Sequence, residues 1–508
     1  PPTCGGDVTT NCLRSGDVGR WNDLLAGALG VVDKAGVLIA RDGNLNPLPI
    51  GTPLFIDSTF HAVEFYANDT WRVTPSLTLS LGVTYNVQTP PRDKNDKQTL
   101  IIDRDTGEVL SAELYFGRRR AAALQGQVYN PTLAYLPIAK SNRKYIYDID
   151  WNNVGPRVAA AWNPSFTDGV LGRLFGERKT VWRGGYSLTF DRVNGVGVIM
   201  IPILGVGFAQ TITCIGPRRD GTCPGSNDLT NAFRVGVDGA TVPLPAIGPA
   251  VSPVVPRTPF EETLSFSIDP KYTIGKSHSL DLTMQRELPG NMILEIGYVG
   301  RLGRNLPQSV QLSSVPYFMK DPASGQTFAQ AFDAVAQQLR AGIAPSAVTP
   351  QPWFENQLRG SALCPTPGTC TTALATARAT AFQQGQLNAL FNLINLRRPA
   401  GPITNMQVLD LWVRISGGRS NYHAGFISVT KRLSHGLTFS VNYTLSQALD
   451  QYGLNQEYIG VNSNGFDLDL DYGPALFDRR HTLNAFWTYD LPFGRGRRWS
   501  AAGAADKL

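Results

Sequence analysis

Ser76-Leu77-Thr78-Leu79-Ser80-Leu81-Gly82-Val83-Thr84-Tyr85-Asn86 alternates without a break between apolar and small polar residues. Leu77, Leu79, Leu81, Val83 and Tyr85 share one phase, and Ser76, Thr78, Ser80, Gly82, Thr84 and Asn86 share the other. A period of two is the signature of a β-strand with chemically distinct faces. The pattern returns at Leu437 to Ser446, where Leu437, Phe439, Val441, Tyr443 and Leu445 oppose Thr438, Ser440, Asn442, Thr444 and Ser446. Shorter versions occur at Leu280, Leu282 and Met284, and at Leu483, Ala485, Trp487 and Tyr489.

The length of the first run indicates what its apolar face meets. At ~3.3 Å per residue it makes a strand of roughly 36 Å. A tilt of about 40° projects that length onto about 28 Å, close to the ~25 Å apolar band of an outer-membrane barrel. Strands of soluble sandwiches are usually ~5 to 6 residues long. Trp71, Tyr85, Trp162, Tyr298, Tyr443 and Tyr489 near strand ends suit interfacial girdles.

The connections add an orientation. Thr74-Pro75, Pro289-Gly290, Ser434-His435-Gly436 and Leu491-Pro492-Phe493-Gly494 are tight turns on one side. On the other side long segments are expected at about 88–150, 193–259, 301–421 and 447–480. Short inner turns with long outer loops are the habit of transmembrane barrels. Within the longest loop, Phe328, Phe332, Val335 and Leu339, and then Leu387, Leu390, Phe391 and Ile394, recur at helical spacing and predict two short amphipathic helices.

Composition is compatible with this fold class. Of 508 residues, 42% are hydrophobic and 17% charged, with 51 Gly and 35 Pro, and the mean hydropathy is −0.13. This is neither a disordered chain nor a helical membrane protein. The best apolar run, Val196 to Phe208, is short and broken by Pro202, Gly205 and Gly207, so it reads as an apolar loop. A net charge of +6 is modest. The Arg clusters at 118–120, 479–480 and 497–498 are scattered, and no nucleic-acid surface is expected. The start, Pro1-Pro2-Thr3, carries neither Met nor an apolar signal, and reads as the start of a piece of a longer chain.

The six cysteines form three close pairs, Cys4 with Cys12, Cys214 with Cys223, and Cys364 with Cys370. Close pairs in Gly-, Pro- or Thr-rich stretches read as small loop disulfides of an oxidising compartment. No CxxC or clustered Cys and His suggests zinc. Asp467, Asp469 and Asp471, with Asp478, could present alternate carboxylates to calcium. However, Tyr472 stands where such a loop needs Gly and no Glu closes it, so a solvated loop is the preferred reading. No HExxH, GxSxG or GxxxxGK[ST] is present, and the histidines at 61, 278, 423, 435 and 481 read as isolated interface or turn residues. Neither catalysis nor a cofactor is expected.

Glu64-Phe65-Tyr66-Ala67-Asn68-Asp69-Thr70-Trp71-Arg72-Val73-Thr74-Pro75 and the strand after it resemble a hairpin of TonB-dependent transporters, in particular the Oar-like group. Further resemblances lie at Asn153 to Arg157, Thr180 to Arg192, Gln285 to Gly300, Lys431 to Ser446 and Phe477 to Gly494, and at Gln351 to Glu355 followed by Cys364 and Cys370. The resemblance implies a bacterial outer-membrane protein that takes up a solute of unidentified nature. Its partners would be outer-membrane lipid, lipopolysaccharide and the TonB complex, the last reached through a TonB box and plug. Neither the box nor the plug is visible here, and about nine or ten strands can be placed of the roughly 22 such barrels contain. The expected organisation is an irregular lead-in over residues 1–59, then a partial barrel over 60–508 with long outer loops. An outer-membrane surface or export-linked barrel without import is the second reading, and a soluble all-β enzyme or adhesin the third.

Overall fold

The computed structural model describes residues 3–4, 11–193, 206–225, 230–243, 248–451 and 464–492. Nine strands form one antiparallel meander, each paired with its neighbours along the chain. They are β1 (Ala62–Thr74), β2 (Leu77–Gln88), β3 (Val154–Trp162), β4 (Thr180–Phe190), β5 (Lys276–Leu288), β6 (Met292–Gln311), β7 (Val408–Ser434), β8 (Leu437–Asp450) and β9 (His481–Tyr489). β1 and β9 are not paired with each other, so the wall is an open arc among the described residues.

The register carries the alternation of single strands across the whole wall. Leu81 lies opposite Val158, Val158 opposite Tyr186, and Tyr186 opposite Leu280. Further along, Ile296 lies opposite Ile427, Ile427 opposite Tyr443, and Tyr443 opposite Leu483. Directly opposed residues share a face. Leu81, Val158, Leu282, Ile296, Ile427, Val441 and Leu483 are all exposed large apolar side chains on that face. An apolar surface so extensive and unpacked is a lipid-facing surface. Asp69, opposite Leu81 on the edge strand β1, is an exception.

Turns close β1 to β2, β5 to β6, and β7 to β8 tightly on one side. Asn291 and His435, both with positive φ, and Gly290 and Gly436 supply the left-handed backbone at the last two. The connection between β3 and β4 is longer than a turn: residues 163–179 hold the helix α3 (Gly169–Phe175). The turn at Leu491 to Gly494 runs past the described residues at Phe493, and most of the Val196 to Phe208 stretch lies outside them.

On the opposite side the connections build a packed lobe. Its parts include the hairpin of Thr99–Asp103 with Leu133–Pro137, helix α2 (Ala112–Leu124), and the strand Glu262–Ile268, which pairs in parallel with Val408–Arg414 of β7. β6 and β7 continue out of the wall into this lobe. Among the described residues the three buried apolar clusters lie in the lobe. One is centred on Tyr115, Leu133, Tyr135, Val310 and Leu411, and another on Ile146, Tyr147, Tyr272 and Ile274.

The third cluster is helical. Helices α4 (Phe328–Arg340), α5 (Pro352–Gln357), α6 (Cys370–Gln384) and α7 (Leu387–Arg397) enclose Phe328, Trp353, Phe354, Phe382 and Phe391. Each such ring contributes about 1.5 to 3 kcal/mol by leaving water. Thr327 and Gln330 form a capping box at the start of α4. The sequence predicts two helices here and the structure contains four. The described part of residues 1–59 holds regular elements. They include the helix α1 (Val18–Ala28) and the strand Lys34–Ala40, which pairs with Ala209–Ile215.

Candidate functional site: the lumen face and the outer lobe

The second face of the wall is lined by small polar groups that bond to one another. Thr70 and Ser80 are joined at 3.2 Å, the Ser428 hydroxyl donates to Asn442 at 2.5 Å, and Thr430 and Ser440 lie at 3.3 Å. The register adds Arg157, Arg183, Asp281 and Glu295 to this face. A lumen of hydroxyls, amides and mixed charge is wettable and offers both donors and acceptors to a polar solute. Gln88 ties it to the loops: its Nε2 donates to the Asp191 carbonyl at 2.9 Å and its Oε1 accepts from the Val193 N–H at 3.0 Å.

The lobe contains clefts that could receive a ligand. One, of about 300 Å³, runs between the start of α2 and the extension of β7, and is lined by Glu113, Phe116, Asp269, Lys271, Ile415 and Leu468 among others. Asp269 accepts from the Ala112 N–H at 2.6 Å and from the Lys271 N–H at 2.7 Å, while Lys271 pairs with Glu113 at 3.0 Å. Burial pushes the Asp269 carboxyl above its usual range against the pull of those N–H donors. The neighbouring Glu113 holds the Lys271 ammonium above its own.

A second cleft of about 510 Å³ lies between residues 130–132, 255–258 and 402–407. Gln407 is one of its lining residues. Its amide donates to the carbonyls of Leu133 and Pro256, both at 2.9 Å, and its oxygen accepts from the Leu133 N–H at 2.7 Å. At the rim, Arg257 pairs with Glu261 at 2.8 Å, which holds the Glu261 carboxyl low. Clefts with apolar floors and a few fixed polar groups are the usual form of a small-molecule site.

The three cysteine pairs, Cys4 with Cys12, Cys214 with Cys223 and Cys364 with Cys370, are each bonded in the structure. Asp467 caps the 3-10 turn Leu468–Asp471, which contains Asp469 and Asp471. Asp467 accepts from the Asp469 N–H at 3.1 Å, and Asp469 pairs with Arg419 at 3.0 Å. Asp478 accepts from the Ala448 N–H at 2.7 Å.

Three of the five histidines have a tyrosine partner across a strand pair. Tyr186 bonds to His278 Nδ1 at 2.9 Å, Tyr298 to His423 Nδ1 at 2.6 Å, and Tyr443 to His481 Nδ1 at 2.8 Å. Each contact is diagonal across a strand pair, so it depends on a register that sequence spacing does not reveal. Glu355, part of the block from Gln351 to Glu355, has a role that the sequence pattern does not show. Its carboxylate accepts from the Cys370 N–H, the Thr371 N–H and the Thr371 hydroxyl, and so caps α6 from the neighbouring helix α5.

Residues 51–508 match the family of the outer membrane beta barrel domain, and the chain belongs to that family. Its place is therefore the bacterial outer membrane. No curated protein matches the chain. Among solved structures, it is similar to the outer membrane transporter YddB from Escherichia coli at 9% identity and a TM-score of 0.32, over 85% of this chain and 40% of that one. It is also similar to the ferripyoverdine receptor of the outer membrane of Pseudomonas aeruginosa, bound to ferripyoverdine, at 9% identity and a TM-score of 0.31, over 88% of this chain and 27% of that one. The chain thus spans well under half the length of either.

Proposed function

We propose that this chain is the wall and outer lobe of a TonB-dependent transporter that captures a solute at the cell surface and passes it inward. The observation that carries the reading is the packed lobe: long outer connections fold into clefts with fixed polar groups over a wall whose inner face is polar. The resemblance of residues 64–75 and of the later blocks to the Oar-like group supports the same conclusion. A TonB box and plug in the whole protein would couple the proton gradient to release of the solute, and the three disulfides would brace the lobe and lead-in outside the cell. We propose no catalytic or cofactor role for the chain.

The test is depletion of solutes from a defined medium by three strains: one carrying the full-length gene, one with the gene deleted, and one lacking TonB. A solute consumed only when both protein and TonB are present supports uptake. Equal depletion in all three points instead to a surface barrel that binds partners without import.

A further inference from the structure

The cleft between the start of α2 and the extension of β7 carries a more specific chemistry than its shape alone. Its charged groups are Glu113, Asp269 and Lys271, two carboxylates against one ammonium. Lys271 and Glu113 pair at 3.0 Å with both side chains mostly exposed, so a competing charge opens the pair at little cost. Asp269 is different. It is 4% exposed, is held by the Ala112 and Lys271 N–H groups, and among the described residues forms no ion pair. One N–H on each oxygen leaves both with a further lone pair. Burial works against its charge, and a cation brought beside it would stabilise that charge.

The rest of the lining restricts what such a cation can be attached to. Both hydroxyl side chains are engaged: Ser416 donates to the Thr273 carbonyl at 2.6 Å and accepts from the Thr273 N–H at 2.8 Å, and the Thr273 hydroxyl accepts from Asn305 at 3.4 Å. Little is left for a sugar. Phe116, Ile415 and Leu468 form the apolar side. Two glycines of the lining let it close against the backbone, since a Cβ at Gly465 would collide with the Phe116 ring and one at Gly417 would come within 2.6 Å of Leu468. A volume of about 300 Å³ is at the lower end for small-molecule sites and suits one ring or one short chain.

We propose that this cleft binds a primary ammonium carried on an apolar group, with Asp269 and Glu113 receiving the ammonium and Phe116, Ile415 and Leu468 the apolar group. The proposal rests on the lobe being where a solute is captured, and gives that solute a chemistry. A free amine and the amino terminus of a peptide share it. Lys271 supplies Glu113 with an ammonium of the chain's own, so it competes with the ligand. Removing Lys271 should therefore strengthen binding, the opposite of removing Glu113.

The test is isothermal titration of full-length protein purified in detergent, which does not depend on import. The probes are phenethylamine, phenylalaninamide as the counterpart of a peptide amino terminus, phenethyl alcohol, which lacks the charge, and hydrocinnamate, which reverses it. At least one of the two amines should bind, the tighter of them telling a free amine from a peptide end, and the alcohol and the carboxylate should bind roughly tenfold more weakly or worse. Asp269 also fixes the start of α2, so the variants are made at its exposed neighbours, where the melting temperature should not change. Glu113→Gln should weaken amine binding roughly tenfold, and Lys271→Met should strengthen it several-fold. Binding of neither amine, equal binding of the alcohol, or an amine affinity that Glu113→Gln leaves unchanged or Lys271→Met lowers would each overturn the proposal. Amine binding by purified protein without TonB-dependent depletion of any solute would uphold the site and count against import.

Discussion

Leu81 and Ser80 are neighbours in sequence but face different solvents. Leu81 is 50% exposed on the lipid side, whereas Ser80 is bonded to Thr70 on the lumen side. Leu81→Arg should therefore cost about 2 to 4 kcal/mol and Ser80→Arg much less, measured by denaturant titration of full-length protein refolded in lipid vesicles. Equal penalties would mean the faces are assigned wrongly. In the lobe, Glu355→Ala removes the acceptor for three donors at the start of α6 and should destabilise the helical cluster by about 1 to 2 kcal/mol, seen as faster proteolysis between residues 360 and 385. Asp321 provides a pH dependence. It is 1% exposed, and burial alone would raise its carboxyl, but donors from Ser324 and Asn356 outweigh burial and hold it below the usual range. A depressed folded pKa contributes stability that is present above the ordinary carboxylate pKa of about 4 and lost as pH falls through the folded value. Acid melting of the lobe in the window below about pH 4 should therefore be blunted in Asp321→Asn.

At the scale of elements, the readable strands were those with one solvent on each face along their whole length. β2 and β8 alternate cleanly because lipid and lumen select opposite chemistry at every step. β7 does not: in its outer part Val408, Leu411, Val413 and Arg414 are all buried within the lobe, so no two-sided pattern survives. Helix α4 could be read because its apolar residues recur at helical spacing, whereas α6 could not. It is built from Thr and Ala with little periodicity, and its start is set by Glu355, fifteen residues before Cys370. The Tyr–His couples and the clefts were hidden for the same reason, since they depend on register and on loops meeting in space. The bond between Cys364 and Cys370, both buried, with Cys370 the first residue of α6, offers a test at this scale. Replacing both by Ser should cost about 2 kcal/mol, read as a lower melting temperature of the lobe, and reductant should lower wild type by more than the double variant, which keeps the other two disulfides.

For the molecule as a whole, the wall is an open arc, with β1 and β9 each bearing an unpaired edge among the described residues. Unpaired backbone groups have no partner in hydrocarbon, so these edges need further strands beside them in a membrane. Full-length protein should be recovered in the outer-membrane fraction and migrate faster unheated than boiled; a soluble fraction without a shift would refute the membrane wall. One strand gives the assembly a mechanical character. β7 runs unbroken from the lobe, where it is flanked in parallel by Glu262–Ile268, to the inner turn at Ser434. At ~3.3 Å per residue its 27 residues make a rod of roughly 90 Å. A pull along that rod loads the Glu262–Ile268 hydrogen bonds together in shear, while the same pull on a hairpin end opens bonds one at a time. The lobe should therefore act as a stiff lever on the wall, transmitting a displacement at a cleft along β7 to the opposite membrane surface before the two parts come apart.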